Sequence, residues 1–287
     1  MIKEKELYKE LTPRMSCEDY TVSNESYELL HNKKYDMLVT LPVPIDLENY
    51  YESEDYISHT NSKKSLIDKL YQTVRKYTLS RKLNLINSFK SKEKTVLDVG
   101  CGTGDFLVAC KKNGWHVNGV EPNFNARKIA LEHIGEVKET LKQFSFESYD
   151  VITLWHVLEH VENLNEYILE LKKLLNPNGV LVIAVPNYKS FDAKYYEEYW
   201  AAFDVPRHLW HFSQTSIKKL FNNVNMEVIQ TKPMKFDSYY VSLLSEKYKT
   251  GRVSYIKPFW IGFKSNFKAM STSEYSSLIY VIKNTKN

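Results

Sequence analysis

Asp98, Gly100, Gly102, Gly104 and Glu121 are the residues whose types and spacing point most directly to chemistry. The first four lie in Thr95 to Leu107, TVLDVGCGTGDFL, where an apolar β-branched run ends in an acid and glycines follow at alternate positions. That order reads as a strand, a glycine turn and a helix start. Glycines so spaced permit positive φ and leave no Cβ between chain and ligand, so a nucleoside-bearing cofactor can lie directly on the turn. Glu121 ends the next strand, VNGVEP, at roughly the 20-residue distance expected of an acid that takes two ribose hydroxyls.

The turn also discriminates between cofactors. A Gly-x-Gly-x-x-Gly loop holds a pyrophosphate on a helix amino terminus, whereas this chain has Gly-x-Gly-x-Gly and starts its helix with Asp105, an acid that repels pyrophosphate. The expectation is a nucleoside with free ribose hydroxyls and no diphosphate. Asp98 suits a positively charged amino group, directly or through water, or else fixes the glycine loop through its amides. Cationic, phosphate-free S-adenosylmethionine fits these residues better than NAD.

The elements that must position the turn form an alternating series. From Ser65 the sequence turns helical, with Asp68 completing a possible capping box and Ile67, Leu70, Val74 and Tyr77 on one face, up to about Phe89. After the turn come a helix from Phe106 to Asn113, strand HVNGVEP, a helix from Asn125 to His133, a short strand near Val137, strand YDVITLW, a helix from Leu164 to Leu175 and strand GVLVIAVPN. A helix from Gln214 to Asn222, strand MEVIQTKP and a last strand SSLIYVIK close the series, with an antiparallel final pair. This predicts an α/β fold: a doubly wound, mostly parallel seven-stranded, Rossmann-like sheet with its crevice at the strands' carboxyl ends. Residues 1–62, with Pro42 and Pro44 precluding helix, read as a small irregular accessory segment of short extended pieces, and 63–287 as the main domain. Tyr239 to Phe267 is mixed and takes no firm assignment.

Composition bounds the function. A chain of 287 residues that is 43% hydrophobic can bury a real core, and a formal net charge of +4 calls for neither nucleic acid nor an anionic membrane as partner. Cys17, Cys101 and Cys110 form no C-x-x-C pair, which disfavours a disulfide framework or cysteine zinc site and fits a reducing cytoplasm. The amino terminus lacks the apolar core of a signal peptide, and no run approaches the roughly 18 to 20 apolar residues of a membrane span. The expectation is a cytoplasmic protein.

VLDVGCGTGDFL, VNGVEP, YDVITLWHVLEHV and NPNGVLVIAVPN together resemble the successive motifs of class I S-adenosylmethionine-dependent methyltransferases over Lys94 to Asn187. LWHVLEHV and FDVPRHLWHF are similar to a bacterial subgroup related to ubiquinone-biosynthesis-type O-methyltransferases. The resemblance implies that Asp98, Gly100, Cys101, Gly102 and Gly104 hold the methionine end, Glu121 and Pro122 the ribose, and Trp155 and His156 the floor near the methyl group. For adenine the candidates are Glu139, Thr140 and Leu141, in a segment without the acidic residue often seen there. Some such relatives carry paired cysteines before a YYESEDYISH-like stretch; here YESEDYISH is present at 51–59 with only Cys17 in the region, so no zinc or other metal site is carried over.

Methyl transfer is an in-line displacement from a good leaving group, so it requires alignment above all and a base only for a poorly acidic acceptor. His156, Glu159 and His160 stand past the fourth strand, with His156 nearest its end. Glu159 and His160 instead suit a loop-ordering and capping role. Trp200, Asp204, Arg207, His208, His211 and Phe212 crowd an insertion at 191–212 after the fifth strand. As a lid, it would offer His208 or His211 as base and Arg207 for an anionic group; as packing, it would hold an internal Asp204–Arg207 ion pair with histidines bonded to backbone. Tyr51, Tyr56 and His59 read as a second wall or a buried connector. Lys63, Lys64, Arg75, Lys76, Arg81 and Lys82 read as a solvated helix face rather than an RNA site. The expected reaction is methylation of a small-molecule or carrier-borne acceptor at oxygen, releasing S-adenosylhomocysteine; methylation of tRNA or protein, and a non-catalytic S-adenosylmethionine-binding scaffold, are the alternatives.

Overall fold

A computed structural model describes residues 4–51, 66–144 and 148–285, the side chains of 4 and 66–73 excepted. Three strands, β1 (Leu11–Glu18), β2 (Ser26–Asn32) and β3 (Met37–Leu41), lead to helix α1 (Leu66–Asn87). The alternating series follows as β4 (Thr95–Val99), α2 (Asp105–Lys112), β5 (His116–Val120), α3 (Phe124–Ile134), β6 (Val137–Lys138), β7 (Tyr149–Trp155), α4 (Leu164–Leu174) and β8 (Leu175–Pro186). Then come α5 (Phe191–Tyr196), β9 (Trp210–His211), α6 (Gln214–Asn222), β10 (Met226–Pro233), α7 (Asp237–Thr250), α8 (Ile256–Thr272) and β11 (Ser277–Asn284).

The main sheet has the order β10-β11-β8-β7-β4-β5-β6. Pairs β4–β5, β4–β7, β5–β6 and β7–β8 are parallel, while β11 runs antiparallel to both β8 and β10. The expected seven-stranded doubly wound sheet is therefore the observed one. The chain enters at β4, builds outward to β6, then crosses back to lay β7 on the other side of β4. That reversal opens a crevice at the carboxyl ends of β4 and β7, where Asp98 and Trp155 end up.

Strands buried on both faces need apolar residues throughout, and those of the sheet alternate between two cores. Leu97, Ile152, Leu154, Leu181 and Ile183 pack with Leu164, Ile168 and Leu171 of α4 and with Ile217, Leu220 and Phe221 of α6. Val96, Val151, Val180 and Val182 face Leu85 and Ile86 of α1, Phe106 and Leu107 of α2, and Ala130 of α3. Each such side chain contributes about 1.5–3 kcal/mol on burial. Helix α3 starts where the Asn123 side chain accepts the Ala126 N–H at 3.0 Å, and it stops at Gly135, whose φ of 93° suits glycine.

The amino-terminal strands form an antiparallel meander, and β9 from the 191–212 insertion pairs with β3 as its fourth strand. The boundary expected at residue 62 lies outside the described residues, as do the Ser65 cap, Tyr56, His59, Lys63 and Lys64. On α1, Tyr77 points to solvent rather than the core, which Leu85 and Ile86 reach instead. Tyr239 to Phe267 resolves into α7 and α8. Among the described residues no helix is long and apolar enough to cross a membrane.

Candidate functional site

The glycine turn leaves β4 with Gly100, Gly102 and Gly104 at φ of 71°, 54° and 84°, conformations that side chains resist. A Cβ on Gly100 would meet Val157 Cγ2 at 2.5 Å, and one on Gly104 would press on Ala130 at 3.3 Å. A Cβ on Gly102 would meet nothing within 4 Å, so this residue faces open space. The turn is tied to β5 twice: Gly100 and Cys101 donate to the Val120 carbonyl at 2.8 and 3.0 Å, and Gly102 donates to Glu121 Oε2 at 2.8 Å. Glu121 Oε1 accepts the Asn123 N–H at 2.9 Å, and burial holds its pKa up against these bonds. Each oxygen keeps a lone pair for a ligand hydroxyl. Cys101 is a packing thiol whose pKa burial raises, with Sγ against Gly119. Pro122 is exposed beside Glu121.

Asp98 is buried at the end of β4 and accepts the Thr153 hydroxyl at 2.5 Å. Burial raises its pKa to about 7, against the lowering effects of Thr153 and of Lys82. Lys82 was expected on a solvated face. It instead projects from α1 toward Asp98 and Asp237, with its Nζ 4.3 Å from the Trp155 ring centroid, and burial lowers its pKa against the pull of both acids. Trp155 also packs edge-on to Phe106, and its buried Nε1–H has no acceptor among the described residues. Asp105 is ion-paired to Arg75, so its repulsion of a pyrophosphate is weaker than sequence suggests.

His156 follows β7 at a φ of 59°, a strained position for a side chain of this size. Its Nδ1 lies 3.3 Å from Glu159 and its Nε2 3.2 Å from Asp237 at the start of α7. Burial alone would lower its pKa, but hydrogen bonds to Asp237 and Glu159 overrule that and raise it to about 10. His156 is thus held with both ring nitrogens facing carboxylates, an arrangement that favours the imidazolium over a free proton acceptor. Glu159 is fully buried and His160 is neutral, its pKa lowered to about 4 by burial and the neighbouring His208. His160 Nδ1 donates to the Arg207 carbonyl at 3.0 Å, and the Tyr51 hydroxyl donates to the same oxygen at 3.2 Å. Tyr51 is thus a connector.

The large side chains of the insertion pack inward. Trp200, Phe203, Trp210 and Phe212 are buried. Arg207 donates to Asp204 through Nε at 3.1 Å and Nη2 at 2.7 Å, and to Asp19 through Nη2 at 3.0 Å, so its forks are turned inward rather than toward an anionic acceptor. His208 Nδ1 donates to the Ala202 carbonyl at 2.9 Å. His211 Nε2 donates to Thr40 Oγ1 at 2.9 Å, while Thr40 donates to the His208 carbonyl at 2.6 Å. Burial, with His208 adding to it, pushes the His211 pKa well below the usual range. Both imidazoles are buried and hydrogen-bonded at the junction of the two sheets. Glu159, His160 and His208 place one ligand-type atom each within 4.8 Å of one another, a grouping that spacing along the chain conceals.

In the adenine segment Leu141 is turned into the core and offers a ligand its main chain rather than its side chain. Gln143 Oε1 accepts the Glu139 and Thr140 N–H groups at 2.9 and 3.1 Å, while Thr140 itself is exposed. Glu139 pairs with Arg127 at 3.3 Å.

A sequence profile described as a methyltransferase domain matches residues 71–231, the stretch from α1 through the glycine turn to β10. The chain belongs to this family, the class I S-adenosylmethionine-dependent methyltransferases. Ubiquinone biosynthesis O-methyltransferase of Rickettsia bellii is 26% identical to the methyltransferase over 156 residues, covering 50% of this chain and 65% of that one. The protein of the same description from Pasteurella multocida is 37% identical over 113 residues, covering 33% and 47%. The matches span less than two thirds of these curated relatives. Among solved structures, magnesium protoporphyrin IX methyltransferase of Synechocystis PCC 6803 with bound SAH is 15% identical with a TM-score of 0.56, covering 83% of this chain and 98% of that one. The cyclopropane synthase of Mycobacterium tuberculosis is 12% identical with a TM-score of 0.52, covering 81% and 95%. At these identities the likeness is one of fold.

Proposed function

We propose that the chain binds S-adenosylmethionine on the glycine turn and transfers its methyl group to a small-molecule or carrier-borne acceptor at oxygen. The observation that carries this reading is the Gly102–Glu121 pairing: an open, side-chain-free turn with a buried carboxylate behind it, each oxygen keeping one acceptor site for the two ribose hydroxyls. The backbone of Gly100, Cys101, Gly102 and Gly104 would lie along the ligand, with Pro122 beside the ribose and Thr140 and the Leu141 main chain at the base. Asp98 would face the cationic methionine end.

When bound, the sulfonium supplies an activated methyl group. The chain's part is alignment and exclusion of water. His156, fixed as an imidazolium between Glu159 and Asp237, contributes a fixed positive group at the floor rather than a proton acceptor, so an acceptor acidic enough to ionise unaided is the fitting substrate. The relatives named as O-methyltransferases support oxygen as the acceptor atom. A cytoplasmic location accords with this chemistry and with a chain of free cysteines.

Calorimetry with S-adenosylmethionine, S-adenosylhomocysteine and NAD tests the cofactor, and tighter binding of NAD would sink the reading. Release of S-adenosylhomocysteine in the presence of metabolite extract, and none with cell RNA, is the result expected for the acceptor class. Turnover with RNA alone would overturn it.

A further inference from the structure

Helix α8 carries its large and small residues on the opposite faces from those of a normal surface helix. Pro258, Ile261, Gly262, Ser265 and Ala269 are its buried residues. They let it lie close to α7: a Cβ on Gly262 would meet Tyr239 at 2.9 Å, and Ser238 Oγ donates to the Gly262 carbonyl at 3.2 Å. Outward, at i, i+3, i+4 and i+7 spacing, stand Ile256, Phe259, Trp260, Phe263, Phe267 and Met270, with Trp260 59%, Phe267 65% and Met270 73% exposed. Rings continue the surface onto α7, where Tyr239 stacks on Phe259 at 5.4 Å. A stripe of this size on a surface helix marks a contact face.

Charge indicates what it contacts. From Gly251 to Ser273 the sequence holds Arg252, Lys257, Lys264 and Lys268 and no carboxylate. Lys257 is paired with Glu246 at 2.8 Å, while Lys264 and Lys268 lie over the Phe191 ring at 5.4 and 4.2 Å and, among the described residues, have no ion-pair partner. The three lysines follow one edge of the stripe. Pairing two copies through it would set cations against cations, which disfavours a self-interface. Aromatic and aliphatic residues on one face with lysines along its edge are the pattern of a helix that lies in the interface of an anionic bilayer.

We propose that the Ile256–Met270 face of α8 docks the protein on an anionic lipid surface, with Trp260, Phe263, Phe267 and Met270 entering the acyl boundary and Arg252, Lys264 and Lys268 meeting the headgroups. This docking is peripheral and stands apart from methyl transfer. Because Asp237, the first residue of α7, bonds His156, the helix pair that docks is also the pair that borders the crevice.

The test is co-sedimentation of the full chain with vesicles of equal parts phosphatidylglycerol and phosphatidylcholine, against phosphatidylcholine alone, without methyl donor. Binding is expected to the first and not the second, with a blue shift of Trp260 emission that is absent in Trp260→Phe. Phe267→Ser with Met270→Ser, both at exposed positions and checked for an unchanged thermal midpoint, should weaken partition about tenfold. Lys264→Glu with Lys268→Glu should weaken it by a similar factor at low salt, with the difference shrinking as salt rises. Absence of wild-type binding, or equal partition by the variants, would overturn the proposal. So would a dimer in sedimentation velocity that Phe267→Ser dissolves without any lipid binding.

Discussion

His156 Nε2 lies 3.2 Å from Asp237 Oδ2, a contact that ties the end of the fourth parallel strand in chain order, β7, to the first residue of α7. With Glu159 on the other ring nitrogen, the contact keeps the imidazole charged to about pH 10. The folded-state pKa is raised above the ordinary histidine value, so the stabilisation is fully present below about pH 6.5 and lost as pH rises through about 10. Thermal midpoints of the wild type should fall between pH 7 and 10. The fall should be shallower in His156→Asn, which tolerates the left-handed backbone without carrying a proton. Identical pH slopes would show that the contact holds no charge.

In the proposed ligand site, Asp98 would confer a pH dependence on binding. Burial raises its pKa to about 7, and a cation bound beside it favours the carboxylate. Binding of S-adenosylmethionine should therefore release a proton at pH 6 and tighten as pH rises from 6 to 7.5. Asp98→Asn should bind more weakly and without that slope. Calorimetry in two buffers of different ionisation enthalpy reads the proton directly, and no release at pH 6 would count against Asp98 as the contact.

Gly102 and Glu121 should fail in different ways. Gly102→Val places a branched side chain at a φ of 54° in the space proposed for the ligand, and should abolish binding with little change of fold. Glu121→Ala frees the Gly102 and Asn123 amides and removes the proposed ribose acceptor, at about 1.5–3 kcal/mol, or roughly 10- to 150-fold in affinity. Unchanged affinity in both variants would displace the cofactor from this turn.

Arg207 joins Asp204 in the insertion to Asp19 before β2. Arg207→Ala leaves two acids unpaired in a buried site and should destabilise the fold by about 3–5 kcal/mol in urea unfolding. A variant as stable as the wild type would mean that the two carboxylates are solvated.

The sheet was legible because its strands carry short runs rich in Val, Ile and Leu, bounded by turns with glycine or asparagine. The turn at Gly100 to Gly104 and its tie to Glu121 were legible because a chain that leaves a strand at positive φ constrains residue type at fixed spacing. The insertion was harder: Arg207, His208 and His211 are the residue types of a catalytic cluster, and their partners Asp19, Thr40 and Ala202, two of them distant in sequence, could not be read from spacing. Lys82 sits among the bases of α1, and nothing in its neighbours marks it as facing Asp98. Helices α7 and α8 show no apolar stripe toward the core, because Ser238, Ser242, Ser245, Gly262 and Ser265 are among the residues they bury. A lone polar residue in a buried strand, Thr153 in YDVITLW, was the available pointer to Asp98.

Strand β9 has a kinetic consequence. Thr40 and the His208 carbonyl it bonds are 168 residues apart in the chain, so during synthesis the free edge of β3 waits for its neighbour. At about 5–20 residues per second the wait is roughly ten to thirty seconds. Over that interval the emerging meander offers an unpaired backbone edge to any strand nearby, and a ribosome-bound chaperone would find its natural client there.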